Sequence, residues 1–270
     1  MNANPQTRTT INSNNDWITL AAIGVVAFVI ADMTHEAIGH GSVFLMMGGK
    51  NAVLTTGNLS TDFAGRWLAA GGPLANIIAG GILWFVLRRE RSLSVQARYF
   101  LWLCMAFNLL FGTGYLMYSG IANFGDWAAV IAGLEPWWLW RAALFVIGVI
   151  AYRFSMKIVA YAGVDFLSTE PGAKADSRIV LVPYFAAGIT ACAAAFFNPL
   201  GPMMILTVGA AASFGAGIGL ALIQRAFPYL PASAAPARVT RSWGWIGVAA
   251  IVLVVFVGVV GPGIKIHIPR

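Results

Sequence analysis

Residues 17–41 read WITLAAIGVVAFVIADMTHEAIGHG, and this stretch decides how the rest of the chain is interpreted. Its first half is a continuous apolar run, and a helix of about 20 apolar residues crosses a hydrocarbon core of about 30 Å. Its second half carries His35, Glu36 and His40. Ionisable groups inside a membrane are costly and indicate a functional site with a partner elsewhere in the chain. The alternative is a helix end at the membrane interface, where these side chains simply reach water.

The overall composition agrees with a membrane protein. The chain has 270 residues, of which 59% are hydrophobic and 10% are charged, whereas soluble domains carry about 25% charged residues. The net charge of +7 is explained by basic loops on the cytoplasmic side of a membrane, so we expect the lipid bilayer as a partner and no nucleic acid. The two cysteines, Cys104 and Cys192, lie in apolar runs and predict neither a disulfide framework nor a thiolate metal site.

Seven apolar segments predict an all-α polytopic membrane protein with about seven transmembrane helices. The segments are 17–47, 67–87, 99–119, 138–160, 179–197, 201–224 and 243–263. Residues 50–65, between the first two, are too polar to span, and their loose alternation around a Gly-Asn turn predicts a short surface hairpin. His267, in the tail after the last segment, has no evident partner.

The distribution of basic residues predicts the orientation of the chain. If the N-terminus is cytoplasmic, 12 of the 17 lysines and arginines fall on the inner side. These are Arg8, Arg88, Arg89, Arg91, Arg98, Arg153, Lys157, Lys174, Arg178, Arg225, Arg238 and Arg241. We therefore predict an integral protein of a bacterial inner membrane, with its N-terminus in the cytoplasm and its C-terminus outside.

The chemistry of the polar cluster on the first segment is typical of a metal site. Neutral imidazole and carboxylate are ligands that suit zinc. Zinc hydrolases commonly place two histidines four residues apart on a helix, with a glutamate after the first as the general base. Here His35 and His40 are five residues apart, which on a regular α-helix separates them by about 140°. Either a π-bulge eased by Gly39 absorbs the additional residue, or Glu36 and His40 form the true pair and His35 supports them.

A second motif, AAGGPLANIIAGG at residues 69–81, is predicted to open the second membrane helix, with its Gly-Pro at the helix start. Together with residues 35–40, this segment resembles the site-2 protease family of intramembrane zinc metalloproteases. That family carries a His-Glu-x-x-His motif on one membrane helix, a Gly-Pro-x-x-Asn segment on a following one, and often a short sheet between them. The resemblance covers roughly residues 20–130, and Gly72 to Asn76 fit it closely.

The resemblance implies a zinc site and a protease mechanism. Its metal ligands would be His35, His40 and, from the segment NFGDW at residues 123–127, Asp126. In the family the corresponding aspartate is usually followed by glycine, which Asp126 is not. Glu36 would act as the general base, and Asn76 would orient the substrate or stabilise the oxyanion. With the N-terminus inside, all three motifs fall at the same outer depth of the membrane, as one shared site requires.

These expectations divide the chain into three parts and leave three functions open. The parts are a polar tail at 1–16, a metal-site core at 17–130 and additional transmembrane helices at 131–270, which have no assigned counterpart in the family. The first function is an intramembrane zinc metallopeptidase that cleaves membrane-embedded or membrane-proximal protein substrates. The second is an inactive or non-proteolytic metal-binding relative on the same scaffold. The third is a transporter with Asp32, His35 and Glu36 as a polar relay. The sequence does not fix the oligomeric state.

Overall fold

The protein is a bundle of membrane-length helices with one small sheet. The computed structural model describes residues 15–90, 92–168, 175–231, 233 and 236–269. Most of the polar tail predicted at 1–16 lies outside these residues. Within them, seven helices are long and apolar enough to cross a membrane. They are α1 (Trp17–Met46), α2 (Arg66–Arg89), α3 (Val95–Ala122), α5 (Trp137–Ala162), α7 (Arg178–Phe196), α8 (Ile205–Ala226) and α9 (Trp243–Val260). The predicted all-α polytopic fold is confirmed, and the predicted spans match these helices closely.

Two short helices and three strands complete the fold. Helix α4 (Asp126–Ile131) follows α3, and α6 (Val164–Leu167) follows α5. Strands β1 (Asn51–Thr55) and β2 (Asn58–Thr61) form the predicted hairpin between α1 and α2. A third strand that the sequence did not indicate, β3 (Ile264–His267), pairs antiparallel with β1 and gives the order β2-β1-β3.

Helix α3 lies at the centre of the bundle, because its side chains are buried on almost every side. Trp102 and Tyr99 are fully buried within it. Their polar atoms are satisfied by neighbouring helices: the Trp102 indole N–H donates to the carbonyl of Val159, and the Tyr99 hydroxyl donates to that of Ile179. The main hydrophobic core includes residues from both predicted parts, 17–130 and 131–270.

The connections between helices gather at two ends of the bundle, which we call the sheet end and the opposite end. At the sheet end, the Asn198 side chain, in the loop between α7 and α8, donates to Thr55 Oγ1 and to the Thr56 carbonyl. At the opposite end, Asp16 N–H donates to the Val239 carbonyl. Connections that are distant in sequence therefore meet at each end of the bundle.

The opposite end also anchors the start of α1. Asp16 caps this helix by accepting the backbone N–H of Thr19, and Arg241 forms an ion pair with it at 2.7 Å. The hydrogen bond from Arg241 lowers the pKa of Asp16 to about 2, although desolvation partly opposes the shift. The first membrane helix is thus fixed at its N-terminus to the loop that precedes α9.

Two local predictions were wrong. The Gly-Pro pair does not start the second membrane helix, because α2 already begins at Arg66 and Pro73 lies inside it. Proline removes one hydrogen bond from a helix interior, but the flanking glycines leave room for another helix to approach. His267 does have a partner: it lies in β3, and its Nδ1 is 2.8 Å from Asn51 Oδ1.

Candidate metal and active site

The polar cluster of α1 lies on a π-helical segment. Residues Thr34–His40 are π-helical, between α-helical stretches at Trp17–Met33 and Gly41–Met46. A π-helical turn holds an additional residue, so His35 and His40 fall on the same side of α1 despite their spacing of five. Their ring centroids are 4.9 Å apart. Of the two arrangements that the sequence left open, the structure has the bulge.

The amide of Asn76 fixes the orientation of His35. Asn76 Nδ2 donates to the carbonyl of Ala31 at 2.9 Å and to Asn108 Oδ1 at 2.8 Å. Its Oδ1 therefore faces His35 Nδ1, at 2.7 Å. Because an amide oxygen can only accept, His35 Nδ1 carries the proton and its Nε2 offers a lone pair when the ring is neutral.

His40 is held in the same way by the backbone of α2. Its Nδ1 lies 2.7 Å from the Leu68 carbonyl oxygen, which again assigns the proton to Nδ1 and a lone pair to Nε2 in the neutral ring. This arrangement, in which each imidazole donates its distal N–H to an oxygen, is the usual support for metal-binding histidines.

Asp126 faces both free ring nitrogens. Its Oδ2 lies 2.8 Å from His35 Nε2 and 3.4 Å from His40 Nε2. Burial raises the pKa of Asp126, but the two imidazoles oppose this more strongly and hold the pKa below its usual range. An ionised carboxylate and two imidazole lone pairs thus converge, and only a proton or a cation between them makes that arrangement favourable.

The backbone before Asp126 has a special conformation that aims its side chain inward. Asn123 ends α3 in the left-handed region, with φ of 51°, and Gly125 has φ of 83°. A side chain at Gly125 would also collide with the Tyr115 hydroxyl, at 2.5 Å. Glycine is therefore required at this turn both for its backbone conformation and for space.

Glycines also allow α1 and α2 to touch at the site. A Cβ on Gly39 would lie 2.6 Å from the carbonyl oxygen of Gly71, so the two helix backbones are in direct contact there. A Cβ on Gly72 would lie 2.5 Å from Nε2 of both His35 and His40. The absence of a side chain at Gly72 leaves the space between the two ring nitrogens open.

His35, Glu36 and His40 form a group that could hold a metal ion. One ligand atom from each lies within 4.8 Å of the others. Tetrahedral zinc with bonds of 2.0–2.2 Å separates its ligand atoms by roughly 3.3 Å, close to the distance from Asp126 to His40. Glu36 is buried, and among the described residues its Oε2 has no hydrogen-bond partner. Glu36 is therefore available either as a ligand or as a base.

The site opens into a cavity of about 620 Å³ between the helices and the sheet. Strand β2 lies along one wall and is an edge strand of the sheet, since its only partner among the described strands is β1. Helix α8 supplies another wall through small and polar residues that include Thr207 and Ala212. The backbone of Leu59 in β2 interacts with the Glu36 carboxylate, so the strand edge and the site share one space.

The structure brings together all five site residues that the sequence singled out: His35, Glu36, His40, Asn76 and Asp126. Sequence reasoning missed three supporting groups: Asn108, Tyr115 and the Leu68 carbonyl. Asn108 is fully buried in an apolar helix, and its polarity was a signal that could have been used. The Leu68 carbonyl could not be found, because a backbone oxygen leaves no trace in sequence.

No protein-family model matches this chain, and no curated protein or solved structure is significantly similar to it.

Proposed function

We propose that the protein is an intramembrane zinc metallopeptidase. The observation that carries this proposal is the convergence of two imidazole Nε2 atoms and the Asp126 carboxylate, with both Nδ1 atoms already committed to oxygen acceptors. Three buried acceptor atoms that point at one another repel, and a divalent cation bound between them would remove that repulsion.

Zinc fits the donor set on chemical grounds. His35, His40 and Asp126 would hold the ion, because imidazole nitrogen and carboxylate oxygen are its common ligands, and three protein ligands leave one position open. The open space in front of Gly72 is where an ion would be received. When bound, zinc lowers the pKa of water to roughly 7 and polarises a carbonyl group.

Glu36 would perform the proton transfers. Its unpartnered Oε2 is buried beside the two histidines, and Asp126 is the closer carboxylate to both ring nitrogens. Glu36 would accept a proton from the attacking water as the water oxygen bonds to the scissile carbonyl carbon. It would then deliver that proton to the amine nitrogen as the C–N bond breaks.

Asn76 would act as a positioning residue for His35. The resemblance implied that its amide orients the substrate or stabilises the oxyanion, but both of its N–H donors are used inside the bundle. Its role would be to fix the tautomer and ring orientation of His35, as groups behind metal ligands commonly do.

The substrate would be a transmembrane or membrane-proximal segment of another protein. A helical peptide bond has its carbonyl engaged in a hydrogen bond, so cleavage requires an extended segment. The free edge of β2 lies beside Glu36 and could hold such a segment by strand addition. The polar cavity wall on α8 would admit water to a site that is otherwise surrounded by apolar helices.

The bacterial inner membrane is the location that we propose, with the N-terminus in the cytoplasm. The proposal depends on the excess of lysine and arginine at the opposite end of the bundle. It puts the metal site and the sheet near the outer surface of the membrane. Accessibility of cysteines introduced in the loop before α9 and in the β1–β2 turn would test it directly.

The test is to compare the purified wild type with Glu36→Gln in lipid nanodiscs. We expect about one zinc per chain in both, measured by elemental analysis. Cleavage of a reconstituted single-span substrate should fall by about 10²–10⁴-fold in the variant, because a general base contributes that much. Glu36→Asp, which keeps the carboxylate but shortens it, is the matched control and should retain part of the activity.

The outcomes separate the three functions that the sequence left open. Zinc in the wild type without cleavage of any membrane substrate would favour a non-proteolytic metal-binding relative. A wild type that binds no zinc would contradict both metal-based functions. In that case Asp32, His35 and Glu36 would remain as the polar relay of a transporter, and proton uptake by proteoliposomes would measure its activity.

A further inference from the structure

We propose that the outer surface of α5 binds the headgroup of an anionic phospholipid at Arg153 and Lys157. This site is separate from the metal site and does not depend on the proposed peptidase activity. It lies on the surface of the bundle that faces lipid, near the opposite end.

Two basic side chains lie one helical turn apart on the exposed side of a membrane helix. Arg153 and Lys157 are both exposed, whereas Tyr152, Met156 and Val159 on the other side of α5 are buried. At 1.5 Å per residue, Lys157 lies roughly 8 Å and Arg153 roughly 14 Å from the end of α5 at Ala162. Both positions belong to the part of the helix where lipid headgroups and the adjoining acyl chains lie.

Neither cation has an anionic partner within the chain as far as the structure describes it. In those residues, no carboxylate forms an ion pair with Arg153 or Lys157. Arg153 instead lies over the ring of Phe227, with its guanidinium carbon 4.2 Å from the ring centroid. A charged side chain at membrane depth normally finds a counter-charge. Here the available counter-charge is the phosphate of a lipid.

The shape and polarity of the surface fit one phospholipid. A groove of about 680 Å³ runs along α5, and Phe227 at the end of α8 forms its side wall. Lys157 and Tyr161 lie towards the opposite end of the bundle, and Val149 and Ile150 lie deeper in the membrane. A headgroup at the cations would therefore place an acyl chain along the apolar part of the groove. Basic pockets between membrane helices are known to bind acidic lipid headgroups in this way.

The experiment measures lipid retention by the purified full chain. Native mass spectrometry would compare phosphatidylglycerol with phosphatidylcholine of the same acyl chains. We expect a preference for phosphatidylglycerol that falls by roughly 30-fold in Arg153→Gln/Lys157→Gln, since each cation near the membrane surface contributes about 1 kcal/mol, or about fivefold. The charge-preserving exchange Arg153→Lys/Lys157→Arg should keep most of the preference.

A matched control comes from α2. Arg88 and Arg89 lie at the same end of the bundle and pack on Trp84 and Phe85, so Arg88→Gln/Arg89→Gln removes the same charge. This control should keep the lipid preference, and equal thermal unfolding midpoints in neutral detergent would show that all variants fold. Loss of the preference in the control, retention in Arg153→Gln/Lys157→Gln, or displacement of the lipid by millimolar inorganic phosphate would each overturn the proposal.

Discussion

Two π-helical segments face the same cavity. They share a backbone conformation but differ in their side chains and in the groups that contact them. The segment in α1, Thr34–His40, carries three ionisable side chains and contacts α2 through glycine backbone. The segment in α8, Ile205–Gly215, carries none and is built largely of small residues. Both contribute to the cavity wall.

The two segments are also supported differently. The first is fixed from within the site, because its histidines donate to Asn76 and to the Leu68 carbonyl. The second is fixed from outside, by tyrosines on α5 and α7 that bind at its C-terminal end and in the α-helical turn that follows it. Tyr152 donates to the Ala216 carbonyl and accepts from Gly219 N–H, and Tyr184 donates to the Phe214 carbonyl. A π-helical segment can thus serve either to orient polar side chains or to shape a cavity wall, depending on the side chains that it carries and on the groups that contact it.

The largest effect should come from filling the space between the imidazoles. Gly72→Ala would place a methyl group about where an ion would be received, and we expect zinc affinity to fall by more than about 100-fold, since both imidazoles would be displaced. Gly215→Ala in the other π segment is the control, because its Cβ would meet only the Ala210 carbonyl oxygen, at 3.9 Å. Competition with a chelator measures the zinc affinity of both variants. Equal zinc binding in the two variants would contradict the assigned metal position.

A smaller loss is expected when the support of His35 is removed. Asn76→Ala deletes the acceptor of the His35 Nδ1 proton, and groups behind a metal ligand typically contribute 10–100-fold to metal affinity. Asn76→Asp keeps an acceptor and should retain more affinity than Asn76→Ala. If Asn76→Ala bound zinc normally but lost cleavage, the result would instead support the substrate-facing role that the family resemblance implied for Asn76.

The tyrosine contacts just after the second π segment should affect stability and not metal affinity. Tyr152→Phe leaves the Ala216 carbonyl and the Gly219 N–H without their hydroxyl partner. We expect a loss of about 1–3 kcal/mol in the free energy of unfolding, measured by denaturant titration in mixed micelles, with zinc affinity unchanged. A large loss of zinc would show that the two segments are coupled across the cavity.

The smallest effect should come from deleting the additional residue of the first segment. Ile38 is exposed in Thr34–His40, and its deletion brings the histidines to a spacing of four, which a regular α-helix places on one side. We expect zinc affinity within about threefold of the wild type, because the ligands keep their relative positions. Deletion of Ala37 should have the same small effect on zinc affinity. Loss of zinc in both deletions would show that the π geometry itself is required.

The fold was largely predictable because membrane helices are set by length and hydropathy. The seven helices and the hairpin follow from runs of apolar residues and from one polar, alternating interval. The convergence of Asp126 with His35 and His40 was predicted only with help from the family resemblance and the common depth of the motifs. The functional roles of these three residues stay predictions, which the metal content and the activity of the protein would test.

The features that sequence reasoning did not find are those that depend on tertiary partners. Strand β3 is short, and it becomes a strand because β1 offers it an edge. Pro73 suggested a helix start, but it lies inside α2. The close backbone contact between Gly39 and Gly71 offsets the helix hydrogen bond that proline removes. The π segment at Ile205–Gly215 has no marker in sequence, since the Tyr152 and Tyr184 hydroxyl groups that bind at its C-terminal end come from α5 and α7.

The pairing of β3 with β1 has a consequence for biosynthesis. Asn51 and its partner His267 are separated by 216 residues, and a ribosome adds about 5–20 residues per second. For roughly 10–40 seconds, a nascent chain therefore carries the hairpin without the strand that completes its sheet. The three-stranded sheet beside the polar cluster is therefore completed only after the last membrane helix has been synthesised.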